Sequence, residues 1–76
     1  MHYLYLVRGE MLENPEIGPY HSYALQCHLR GPFSNELIDS VPDVSTDQVF
    51  VQRLADLYTD EQLYSVHLRE AIMNAL

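Results

Sequence analysis

A chain of 76 residues with a net charge of −7 has room for one small domain and none for a second. Its apolar share of 47% is that of a folded protein, which excludes a disordered acidic tail. Arg8, Arg30, Arg53 and Arg69 are the only cations, and they are dispersed; direct nucleic-acid binding and attachment to an anionic membrane, which both need clustered positive charge, are excluded.

The first element is a strand, His2 to Arg8, rich in Tyr, Leu and Val and bounded by Gly9. Leu4 and Leu6 point one way, Tyr3, Tyr5 and Val7 the other, so both faces are apolar, as in a central strand or one whose second face meets a partner. Gly9 to Pro19, with the turn pairs Asn14-Pro15 and Gly18-Pro19, is expected to be a long acidic hairpin loop whose Met11, Leu12 and Ile17 fold back on the domain. The second strand, Tyr20 to Leu29, alternates: Tyr23, Leu25, Cys27 and Leu29 on one face, Tyr20, Ser22, Ala24, Gln26 and His28 on the wetter one. After the turn Arg30-Gly31-Pro32, residues Glu36 to Val44 give a weaker third strand, and Pro42 assigns it to an edge or a strand end.

Two amphipathic helices follow. Ser45 is the expected N-cap of the first, Thr46 to Tyr58, with Gln48 completing a capping box and Asp47 in the first turn. Phe50, Leu54, Leu57 and Tyr58 form its apolar stripe with Val51 at the edge, while Gln48, Gln52 and Asp56 face outward. After the connector Thr59 to Gln62, Ser65 is the expected cap of a second helix with the stripe Leu68, Ala71, Ile72, Ala75 and Leu76; His67, Glu70 and Asn74 face water. One longer helix from Asp60 is the less favoured alternative, because it would set Tyr64 and Ser65 mid-helix. The predicted fold class is α+β: a single domain, residues 1–76, in which a three-stranded antiparallel sheet carries two C-terminal helices on one face, in the order β-β-β-α-α.

Several runs carry a resemblance: Tyr23 with its alternating strand, Ile38-Asp39-Ser40-Val41-Pro42-Asp43-Val44-Ser45, Val51-Gln52-Arg53-Leu54, and Val66-His67-Leu68-Arg69-Glu70-Ala71-Ile72. In these the C-terminal half resembles a small bacterial domain-of-unknown-function family, met mainly in anaerobic Gram-positive bacteria. The resemblance implies strands followed by helices and an intracellular setting, and it brings no activity. The basic residues expected around the helices of that family are sparse here.

Chemistry finds little support. His2, His21, His28, His67 and Cys27 lack the close pairs of a zinc site, so no metal is expected. Cys27 falls in the apolar set of its strand, where a thiol is inert, and Gly9, Gly18 and Gly31 read as turns and not as a phosphate loop. His67, near a helix start, reads as a surface residue paired with Glu70. No enzyme and no cofactor are expected. A lone cysteine, no leader-like start and no apolar run long enough for a membrane point to the cytoplasm.

Two classes of function remain. The first is a protein-interaction module that self-associates as a homo-oligomer or binds a protein partner through a sheet face left uncovered by the helices, with Tyr3, Tyr5 and Tyr20 as its contact residues. The alternative is an acidic inhibitor or nucleic-acid mimic of the phage anti-defence type. It requires the acids of the Glu10 to Glu16 loop to converge with Asp56, Asp60 and Glu61.

Overall fold

The computed structural model describes residues 1–76. Three strands, β1 (His2–Asn14), β2 (Gly18–Arg30) and β3 (Asn35–Ser45), precede α1 (Gln48–Glu61), a single 3-10 turn (Ser65–His67) and α2 (Leu68–Ala75). The sheet is antiparallel throughout, in the order β1-β2-β3, so the architecture is the expected β-β-β-α-α.

The hairpin departs from expectation. Pairing runs unbroken from His2↔Arg30 to Asn14↔Gly18, so the predicted loop Gly9 to Pro19 is mostly strand, and only Pro15, Glu16 and Ile17 turn. The Asn14 carboxamide closes that turn, accepting from the Glu16 N–H at 2.8 Å and the Ile17 N–H at 3.3 Å, and Gly18 at φ 82 supplies the left-handed residue. Gly9 therefore ends nothing. It lies mid-strand opposite Tyr23, whose ring would stand 3.5 Å from a Cβ at that position and covers the gap.

Pro42 does sit on an edge strand, beside a bulge in β3: Leu25 faces Val41 and Tyr23 faces Ser45, so the chain from Pro42 to Val44 spans a single residue of β2. Asp43, at φ 53, turns its carboxylate back over the sheet. It accepts from the Ser22 hydroxyl at 2.6 Å and the Tyr20 hydroxyl at 2.9 Å, which explains how Ser22 is fully buried.

The N-cap of α1 is Asp47 and not Ser45. Asp47 Oδ1 accepts from the N–H groups of Val49 (3.1 Å) and Phe50 (3.3 Å), while the Ser45 hydroxyl accepts from the Asp47 N–H one step earlier. The buried stripe is rotated accordingly to Val51, Leu54, Ala55 and Tyr58, leaving Leu57 48% exposed. Gln62, left-handed at φ 51, ends the helix. A break before α2 is present as expected but comes later: the predicted connector Thr59 to Gln62 is helical through Glu61, and the chain breaks after Gln62. Ser65 makes no cap, and the 3-10 turn leads directly into Leu68. Of the second stripe, Leu68 and Ile72 are buried and Ala71 is half-buried, whereas Ala75 and Leu76 are exposed.

Tyr5, Leu25, Cys27 and Val44 from the sheet meet Val51, Leu54, Ala55, Tyr58, Leu68 and Ile72 from the helices in one core. All its β1 and β2 members belong to the end of the hairpin away from the turn. The remainder projects as a two-stranded arm, which accounts for the 44 × 25 × 20 Å outline.

Candidate interaction surface

Register decides what each face carries. Because Tyr3, Tyr5 and Val7 stand opposite Leu29, Cys27 and Leu25, these six share the face under the helices. Tyr5 is 2% exposed; its hydroxyl donates to the Leu63 carbonyl at 2.7 Å and its ring meets that of Tyr58 edge-on at 5.7 Å. Tyr3 is half-buried against the same core, edge-on to Tyr64 at 6.1 Å. The expected grouping of Tyr3, Tyr5 and Tyr20 on one uncovered face is thus corrected: only Tyr20 lies on the open face, with its hydroxyl engaged by Asp43. That open face pairs Leu4 with His28, Leu6 with Gln26, Arg8 with Ala24, Glu10 with Ser22 and Leu12 with Tyr20.

β1 is an edge strand, not a central one. The end of α1 closes part of its outer side. The Tyr3 N–H donates to Gln62 Oε1 and the Tyr3 carbonyl accepts from Gln62 Nε2, both at 2.9 Å, so one side-chain amide reproduces a rung of sheet. The Thr59 hydroxyl accepts from the Tyr5 N–H at 2.9 Å. Alternation then sends the N–H and C=O groups of Val7, Gly9, Met11 and Glu13 outward, where β1 has no neighbouring strand. Beside this free edge Leu6 is 41% and Met11 60% exposed. Where α1 overhangs the strand, a groove of about 460 Å³ opens, its apolar lining including Leu4, Leu6 and Leu57 and its acidic members Asp56 and Asp60.

Charges along the edge are unpaired. The molecule's one ion pair, Arg69 with Asp39 at 2.6 Å, ties α2 to β3 and leaves Arg8 without a carboxylate. Glu10 Oε2 is buried and has no hydrogen-bond partner, and His28 Nε2 on the same face is in the same position. Arg69 holds the Asp39 carboxyl below the usual range. Burial pushes up the Cys27 thiol and, more strongly, the Tyr5 phenol, so both remain neutral.

The acids whose convergence a nucleic-acid mimic would require are spread along β1 and α1. Asp56 and Asp60 lie beside Leu4, Tyr5 and Leu6. Glu13 is further along β1, about 26 Å from Tyr5 at the usual strand rise. His67 and Glu70 line a shallow hollow on α2 with no ion pair between them. No helix is long and apolar enough to cross a membrane. The chain matches no family model, no curated protein and no solved structure.

The edge segment escaped sequence reasoning because Gly9 read as a strand terminator. A signal was present in the unbroken alternation through it: Leu6, Arg8, Glu10 and Leu12 on one side, Val7, Gly9 and Met11 on the other.

Proposed function

We propose that this chain is a protein-interaction module that binds another polypeptide by strand addition along the free edge of β1. The observation that carries the reading is the contrast within one strand: Tyr3 and Tyr5 have their outward backbone groups closed by Gln62 and Thr59, while Val7 to Glu13 have theirs open beside exposed apolar side chains. An open edge of this kind offers main-chain hydrogen bonds for affinity and alternating side chains for specificity. A binding role also suits the placement of Cys27 and the Tyr5 hydroxyl, which are enclosed in the core and out of reach of a substrate. A reducing, cytoplasmic setting suits the buried free thiol. The acidic-inhibitor alternative depends on converging carboxylates, and the distance between the hairpin arm and the end of α1 leaves it without that support.

Met11→Lys places a charge on the edge at a site already 60% exposed. We expect the variant to keep the wild-type fold by circular dichroism and to lose the association that the wild-type chain shows in sedimentation or in affinity capture. A variant that retains every association of the wild type overturns the reading, and so does a wild-type chain that associates with nothing.

A further inference from the structure

Resting on that reading, we infer that the polypeptide added to β1 is β1 of a second copy of this chain, antiparallel, with Gly9 on the two-fold axis. The segment Leu6-Val7-Arg8-Gly9-Glu10-Met11-Leu12 is complementary to itself read backwards. With Gly9 opposite Gly9, Val7 meets Met11 of the second copy on the helix face, and Leu6 meets Leu12 of the second copy on the open face. Between these, Arg8 stands opposite Glu10 of the second copy, and Glu10 opposite its Arg8. Such directly opposed charge pairs favour an antiparallel ladder.

The backbone agrees with this register. Gly9 is among the residues whose N–H and C=O point outward, as the central hydrogen-bonded pair of such a ladder requires, and it has no side chain to hold the two strands apart. The register also supplies what the single chain lacks, a cation for the buried, unpartnered Glu10 oxygen and a carboxylate for Arg8. It ends where the Thr59 hydroxyl already holds the Tyr5 N–H. The product is a six-stranded antiparallel sheet with both pairs of helices on one side, within the usual sheet size.

Charge exchange tests the register. Arg8→Glu and Glu10→Arg each set like charges opposite one another at two symmetric positions, and each should weaken self-association in sedimentation equilibrium by about tenfold or more. Arg8→Glu combined with Glu10→Arg in one chain should restore it, and the two single variants mixed should form a heterodimer. Arg8 is exposed, so Arg8→Glu alone carries the test if Glu10→Arg does not fold. Single variants that associate like the wild type, or a double variant without recovery, overturn the proposal. So does a monomeric wild type at high concentration; capture of a different protein that Met11→Lys abolishes would in that case leave the broader reading standing.

Discussion

The two halves of the β1–β2 hairpin share one register and differ in what lies over it. Near the chain start, Tyr5, Cys27 and Leu25 are roofed by Val51, Leu54, Tyr58 and Leu68, and each is essentially inaccessible. Toward the turn, Met11 faces His21 and Glu13 faces Pro19 with no helix above them. A backbone hydrogen bond contributes only about 1 kcal/mol net, and an isolated two-stranded hairpin is marginal in water. Pairing therefore sets the shape of both halves, while burial stabilises one. The arm is ordered by continuity with the roofed half, by the Asp43 carboxylate that holds Tyr20 and Ser22, and by the Asn14 turn, and its outer edge on β1 is left available for association.

Truncation should separate the halves most clearly. Leu25→Ala or Leu68→Ala, at fully buried positions, should cost about 2–5 kcal/mol in urea unfolding. Ile17→Ala, at a tip residue 72% exposed, should stay within about 0.5 kcal/mol. Similar losses in both places would show that the arm is packed against something and would erase the contrast. A smaller effect sharpens it at the edge of the roof: Asp47→Ala removes the acceptor for two helix N–H groups and should cost about 1 kcal/mol, with Ser45→Ala costing less. The reverse order in denaturant melts would return the cap to Ser45.

The smallest expected effect concerns the tie between α2 and β3. The Asp39 carboxyl is held below its ordinary value chiefly by Arg69, so the pair contributes stability above the normal aspartate range and loses it as pH falls through the lowered value. Arg69 is 63% exposed, and solvent screens most of that contribution. Wild type and Arg69→Gln should differ slightly at neutral pH and converge in acid. Curves that diverge as the pH falls would assign the stabilisation to another group.

The layout of strands and helices was legible in the sequence because period and punctuation both changed near Asp47. Faces were harder to read. β1 is apolar on both sides, so its composition gave no vote on which side meets the helices; the register with β2 decides that, and the register depends on the length of the turn. Reading Gly9 to Pro19 as loop hid the pairing that sets Tyr5 against Cys27 and not beside Tyr20. The cap was missed for a different reason, since Ser45 and Asp47 both have side chains suited to it and only backbone geometry chooses. The candidate edge was half legible: the residues and their charges stood in plain order, but nothing in them said that β1 would be outermost.

Gln62 has a further consequence, for the order of events on the ribosome. The β1–β2 hairpin is made first, and through the synthesis of β3 and most of α1 the outer side of Tyr3 has no amide to meet it; the group that closes it comes from 59 residues further along the chain. Until Thr59 and Gln62 emerge, the nascent chain presents a longer bare edge than the finished protein does, reaching back from Gly9 to the N-terminus. The last turn of α1 thus works as a late-arriving guard, and a chain interrupted before it would expose the whole of β1 to neighbouring strands.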